Sequence, residues 1–147
     1  MEYKLRLKNV REEKGLSQKE VADLLGIDRT VYTKYENGYE LIPIKHLITF
    51  CNQFQVSVDF IFSLRYESSC SLEFHLDLVP ERLKEWRKSQ KITQEKLASF
   101  LGTNKSVICN YEKGRHFIAT PFIYQICHKY HVSADYLLGR YEKTQED

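Results

Sequence analysis

The chain has 147 residues, a length that fits one ordinary domain or two very small ones. Its 22 Lys and Arg against 20 Asp and Glu are too evenly balanced to name a partner. The longest apolar runs fall short of a membrane span, and the alternating start MEYKLRLK does not read as a signal peptide.

Charge is distributed unevenly. Residues 1–66 hold ten Lys and Arg against nine Asp and Glu, whereas residues 80–147 hold twelve against eight. The stretch between them carries acids only, so the second half has the better electrostatic case for a polyanion. Cys51, Cys70, Cys109 and Cys127 show no zinc-type spacing. They are expected as reduced thiols, which fits a cytoplasmic protein.

Taken in chain order, the first half reads as short helices. Leu7, Val10 and Arg11 share a helical face that stops at Gly15. SQKE at 17–20 is a capping box, in which Ser17 accepts an orphan N–H and Glu20 reaches back. Val21, Leu24 and Leu25 are the expected apolar face of that second helix, which Gly26 ends. Asp28 caps a third helix that runs through Glu36 and leaves at Gly38. Ile44, Leu47, Ile48, Cys51 and Phe54 recur at helical spacing as a fourth. Ser57 caps a short fifth helix carrying Phe60 and Ile61.

Residues 67–79, ESSCSLEFHLDLV, break the pattern. Leu72, Phe74, Leu76 and Leu78 alternate with polar residues, the period of a strand. Two readings stand: an extended linker that packs lightly on a domain, or a strand pairing with the similarly alternating Met1, Tyr3, Leu5 and Leu7. After it the helices return. At an offset of 76 residues the halves align without a gap from about residue 6 to 63. Gln18 meets Gln94, Ala22 meets Ala98, Tyr35-Glu36 meets Tyr111-Glu112, and Asp59 meets Asp135. An ungapped match of this length argues for two copies of one domain. Thr93, Asn104 and Ser133 are the caps of the second copy, although TQEK lacks the glutamate of a full capping box. The organisation expected is a first domain over 1–66, a linker over 67–79, a second domain over 80–141 and a disordered tail over 142–147.

Gln-x3-Ala-x3-Gly, then Tyr-Glu-x-Gly, then Val-Ser-x-Asp occurs at Gln18, Ala22, Gly26, Tyr35, Glu36, Gly38, Val56, Ser57 and Asp59. It recurs at Gln94, Ala98, Gly102, Tyr111, Glu112, Gly114, Val132, Ser133 and Asp135. This pattern resembles the helix-turn-helix domains of lambdoid phage repressors and Cro, the XRE-type regulators. The resemblance covers about 5–65 and 80–140. It implies an all-α fold of two tandem five-helix domains, each with a third helix that enters the DNA major groove.

The resemblance also implies the site. Base-reading positions would be Arg29, Thr30, Thr33 and Lys34 in the first copy and Lys105, Ser106, Cys109 and Asn110 in the second. Arg29 can fork to guanine and Asn110 can pair bidentately with adenine. Gln18 and Gln94 would touch the DNA backbone, with Arg115 and His116 adding phosphate contacts after the second reading helix. In the first copy that loop carries Tyr39 and Glu40, an acid where the family tends to place bases. Arg11–Glu36 and Arg87–Glu112, both 25 residues apart, would be salt bridges between first and third helices.

Competing assignments are weaker. His128, His131 and Cys127 sit at a helix end and do not make a metal site. Trp86 falls on the core-facing stripe at the place of Val10. Neither a nucleophile–base pair nor a phosphate-cradling glycine loop stands out, so an enzyme is not expected, nor a cofactor, nor a small-molecule ligand. The expected partner is a double-stranded operator read as two unlike half-sites, with thirteen extended linker residues reaching roughly 43–47 Å. Homodimerisation through residues 72–78 stays open. Two rivals remain: a protein-interaction adaptor whose helix-turn-helix units have lost DNA, and an antitoxin or restriction–modification controller.

Overall fold

The computed structural model describes residues 3–66 and 73–140, apart from the side chain of Leu5. The chain divides into two compact units, Met1–Ser71 and Leu72–Asp147. Cys70, Met1, Leu72 and the tail 142–147 lie outside the described residues.

The first unit contains α1 (Tyr3–Glu13), α2 (Gln18–Leu25), α3 (Arg29–Asn37), α4 (Ile44–Phe54) and α5 (Val58–Ile61). Side chains cap the starts of α2, α3 and α5. The Ser17 hydroxyl accepts from the Glu20 N–H at 3.1 Å, and Glu20 accepts in return from the Ser17 N–H at 3.0 Å. Asp28 takes the Thr30 N–H at 2.9 Å, and Ser57 takes that of Phe60. Such caps contribute about 1 kcal/mol each. Tyr3, Leu7 and Val10 form the buried stripe of α1, which packs on α3 and α5. Ile44, Leu47, Ile48, Cys51 and Phe54 of α4 are all buried, as expected, together with Phe50. Burying a side chain of this size contributes about 1.5–3 kcal/mol.

Two expectations fail in this unit. On α2 the buried arc is Val21, Ala22 and Leu25, while Leu24 is 43% exposed. At 100° per residue Leu24 falls on the far side of Val21 from that arc, so the core never reaches it. Tyr3 and Leu7, proposed as strand residues, belong to α1. Their separation of four residues serves a helix as well as an alternating strand, and the presence of Val10 on the same face decides for the helix.

The second unit begins with an extended stretch and a 3-10 turn, Leu76–Leu78. It continues with α6 (Val79–Ser89), α7 (Gln94–Leu101), α8 (Lys105–Glu112), α9 (Thr120–Tyr130) and α10 (Ala134–Leu137). Thr93, Asn104 and Ser133 cap α7, α8 and α10 through their side chains. Trp86 is buried and meets Tyr130 edge-on, with ring centroids 5.2 Å apart. A strand does not form over 73–78. Instead the His75 N–H donates to the Gly139 carbonyl at 3.0 Å, and the Arg140 guanidinium lies 3.8 Å above the Phe74 ring. Arg140 is itself buried and paired with Asp135 at 2.8 Å. The alternation is real as burial, since Phe74, Leu76 and Leu78 are half-buried and Glu73, His75 and Asp77 exposed. It seats the segment on its own unit. Gly139, at φ +86°, is where the backbones meet: a Cβ there would stand 1.8 Å from the His75 carbonyl oxygen.

Candidate nucleic-acid interface

In each unit the third helix is presented by the second. The turn between α2 and α3 is set by Gly26 in the left-handed region, at φ +70°, with Asp28 two residues on as cap. Gly102 and Asn104 repeat this between α7 and α8. The pairs α2·α3 and α7·α8 pack together, so the outer face of α3 and α8 is held at a defined angle to the rest of the unit.

The brace behind that face is the same twice. Arg11 Nε and Nη2 donate to the two Glu36 oxygens at 2.7 and 3.0 Å, a bidentate pair. Arg11 Nη1 also reaches the Leu16 carbonyl at 2.9 Å, which ties the α1–α2 turn into the pair. In the second unit Arg87 makes the corresponding bonds to Glu112 at 2.6 and 2.9 Å and to the Ile92 carbonyl at 2.8 Å. Both carboxylate side chains are only 2% exposed. Burial alone would raise the Glu36 pKa, but the hydrogen bonds led by that of Arg11 outweigh it and hold it below the usual glutamate range. The Arg11 and Arg87 guanidinium groups are held more firmly protonated by their hydrogen bonds to Glu36 and Glu112.

Gln18 and Gln94 complete the brace from the first turn of α2 and α7. Their amide nitrogens donate to Glu36 at 3.2 Å and to Glu112 at 3.0 Å. A carboxylate accepts only, so each amide must turn its nitrogen inward. In the first unit Gln18 also accepts the Thr33 hydroxyl at 2.8 Å, which removes the remaining freedom to flip. The second unit has Cys109 at that place, half-buried.

Outward from the brace the two units differ. Arg29, Thr30 and Lys34 are exposed on α3, with Thr33 half-buried beneath them. The Thr30 hydroxyl donates to Asp28 at 3.1 Å. The Asp28 carboxyl is held below its ordinary range, chiefly by the Thr30 backbone N–H and then by that hydroxyl. Lys34 lies 3.5 Å from Glu40 in the following loop. On α8, Lys105 and Ser106 are exposed and Asn110 is half-buried. Lys105 stands 3.7 Å from Glu95 of α7. Asn110 Oδ1 accepts from Arg115 at 3.3 Å, and both Arg115 and His116 are exposed in the loop after the helix. The eight expected base-reading positions thus lie along α3 and α8, and the expected phosphate contacts flank them. The loop-to-helix pairs, Lys34–Glu40 and Asn110–Arg115, are not legible in the sequence. Their separations of six and five residues cross a turn whose path spacing alone does not give.

Among the described residues no group of three metal-ligating side chains converges. Cys127 is buried, and the His128 ring lies against Tyr124. None of the described helices is long and apolar enough to cross a membrane.

Two family models match the chain, "Helix-turn-helix" over residues 7–61 and "Helix-turn-helix domain" over 81–143. Among curated proteins, an uncharacterized HTH-type transcriptional regulator YqaE of Bacillus subtilis is 33% identical, over 58% of this chain and 96% of that protein. The SPbeta prophage-derived uncharacterized HTH-type transcriptional regulator YonR of the same organism is 46% identical, over 38% of this chain and 52% of that protein. The cryptic phage CTXphi transcriptional repressor RstR of Vibrio cholerae is 36% identical, over 40% of this chain and 53% of that protein. No solved structure matches the chain.

Proposed function

The chain belongs to the XRE-type helix-turn-helix family of DNA-binding transcriptional regulators, and from that premise we propose that it is a repressor-like protein with two unlike readers in one polypeptide. The observation that carries this is the pairing of a duplicated brace with a face that is not duplicated. Arg–Glu–Gln recurs with the same bonds, whereas Arg29, Thr30 and Lys34 become Lys105, Ser106 and Asn110.

Each side chain has a role its surroundings suit. Arg29 forks to guanine O6 and N7. The Thr30 hydroxyl spends its hydrogen on Asp28, so toward a base it accepts, which suits the amino groups of adenine and cytosine. Asn110 reads adenine once Arg115 turns from it to a phosphate. Gln18 and Gln94, with nitrogen held inward, offer their second amide hydrogen to the backbone. Arg115 and His116 grip phosphate beside α8. In the first unit Glu40 neutralises Lys34 and repels phosphate, so that unit is the weaker reader.

The tether between readers is shorter than thirteen residues, because 73–79 are seated in the second unit. From Tyr66 to Glu73 the chain can span at most roughly 23–25 Å. That sets an upper limit on how far the two units can separate on DNA. Homodimerisation through 72–78 would compete with the contacts of Phe74 and His75 to Arg140 and Gly139, so one chain acting as a covalent pseudo-dimer is preferred. Selection from a random duplex library tests the proposal. The expected product is a bipartite motif of two different halves, losing one half with Arg29→Ala and the other with Asn110→Ala. Absence of enrichment at low salt would sink it. One observation favours a second reading, in which the first unit binds protein: the Lys34–Glu40 pair on its reading face. A motif lost only with Asn110→Ala would support that reading.

A further inference from the structure

Each unit has a cavity behind the loop that follows its reading helix, and the two cavities are one place in the fold. In the first unit it measures about 70 Å³ and is lined by Tyr3, Lys4, Tyr35, Gly38, Glu40 and Leu41. In the second it measures about 440 Å³, and Val79, Pro80, Tyr111, Gly114, His116 and Phe117 line it at the corresponding positions. The difference in volume has a side-chain cause. Tyr3 is buried and packs on Phe62, and the Lys4 side chain crosses Gly38 so closely that a Cβ there would lie 2.8 Å from its Nζ. The first unit thus fills the site with its own phenol and butylammonium. Val79 and Pro80 are shorter and leave the space open.

The charged groups are rearranged along with the volume. The first site holds a cation beside an acid, Lys4 and Glu40. In the second, Pro80 removes the cation, His116 replaces the acid, and Lys113 joins the lining where the first unit has Asn37. Tyr111, Phe117, Val79 and Leu76 supply apolar and aromatic surface, with Asp77 as the opposing acid. Phe117 remains 57% exposed at the edge. A volume of this size is within the range of small-molecule sites.

We propose that this pocket of the second unit binds a small amphipathic anion, an apolar or aromatic body bearing a carboxylate, sulfonate or phosphate group, and that its occupancy weakens DNA reading by α8. The coupling rests on the proposed DNA function. Tyr111 belongs to α8, Lys113 follows that helix directly, and His116 is a proposed phosphate contact, so an anion bound here competes with the DNA backbone for the His116 ring N–H. Such competition is reciprocal: duplex weakens the anion by the same factor.

The first test uses the full chain without DNA and the fluorescent probe 8-anilinonaphthalene-1-sulfonate. Expected is saturable binding at one site per chain, with the neutral analogue N-phenyl-1-naphthylamine bound about tenfold more weakly, as for loss of one charge interaction of about 1.4 kcal/mol. Rebuilding the first unit's filler, Val79→Tyr with Pro80→Lys, should abolish binding. Lys113→Gln, an exposed change that leaves the fold intact, should weaken it severalfold. Unchanged binding in the filled variant places the probe elsewhere and overturns the site. Equal affinity for the neutral analogue overturns the anion. A second titration adds a duplex enriched in the library selection. If the probe binds the pocket and leaves duplex affinity unchanged, the coupling is overturned. If no duplex binds at all, the DNA reading has failed, and the probe titration still decides the pocket.

Discussion

Replacing Glu112 with glutamine removes one charge from the brace and keeps its shape. The Glu112 side chain is 2% exposed, that of Arg87 only 9%, and three donors converge on the carboxylate at 2.6, 2.9 and 3.0 Å. An amide offers one oxygen and turns an N–H toward Arg87 Nε or Nη2, so one charge-assisted bond is lost and a repulsive contact made. Breaking a buried pair from one side costs about 3–5 kcal/mol. Arg87 keeps the Ile92 carbonyl, which argues for the lower end, about 3 kcal/mol. For a domain of this size each kcal/mol moves the midpoint by about 4–8 °C, so a fall of about 12–24 °C follows. The assay is selective, because the chain has one tryptophan, Trp86, buried in the second unit beside Arg87. Its fluorescence melt reports that unit alone, while Glu36→Gln should leave the same transition unmoved. A Glu112→Gln shift below about 4 °C, equivalent to less than about 1 kcal/mol, would refute the brace as a structural element.

Acid should act on the first unit through Glu36. Its folded pKa lies below the unfolded value, so its contribution is full above the ordinary glutamate range and is lost as pH falls through the depressed one. Circular-dichroism melts of Glu36→Gln should therefore lose stability at neutral pH and show a flatter acid dependence than wild type; equal slopes would contradict the linkage. Gly139→Ala must push a methyl into the His75 carbonyl at a positive φ, and should cost the second unit about 2–4 kcal/mol in the Trp86 melt. A change under about 0.5 kcal/mol would mean that residues 73–78 are not seated there. Glu40→Gln should strengthen duplex binding by the first unit by about 0.5–1 kcal/mol, measured with its half-site and Asn110→Ala to silence the second. Unchanged affinity would mean that Lys34 does not face DNA.

How much was legible depended on where a residue's partner lies. Ser17, Asp28, Thr93 and Asn104 bond to backbone two or three residues on, so cap chemistry was readable one helix at a time. Arg11–Glu36 and Arg87–Glu112 span 25 residues, yet the repeat and the family resemblance made them legible because the same spacing occurs twice. The family resemblance makes Thr33 an expected reader, and nothing in its neighbours shows that its hydroxyl is already spent on Gln18 fifteen residues back.

The duplication, the helices of each copy, the caps and the differences between the outer faces of α3 and α8 are properties of the sequence itself, since local bonding, periodicity and residue identity decide them. Three matters belonged to the tertiary structure. Leu24 and Leu25 are equally apolar, and only the position of the core separates the exposed one from the buried one. Residues 73–78 alternate like a strand, but the Gly139 carbonyl and the Arg140 guanidinium, more than sixty residues away, offer their seat. Val79 and Pro80 look unremarkable in the chain, and only their placement opposite Tyr111 and Phe117 opens a cavity that Tyr3 and Lys4 close in the other copy. Each of these depends on a surface assembled from distant residues, whose presence no local pattern encodes.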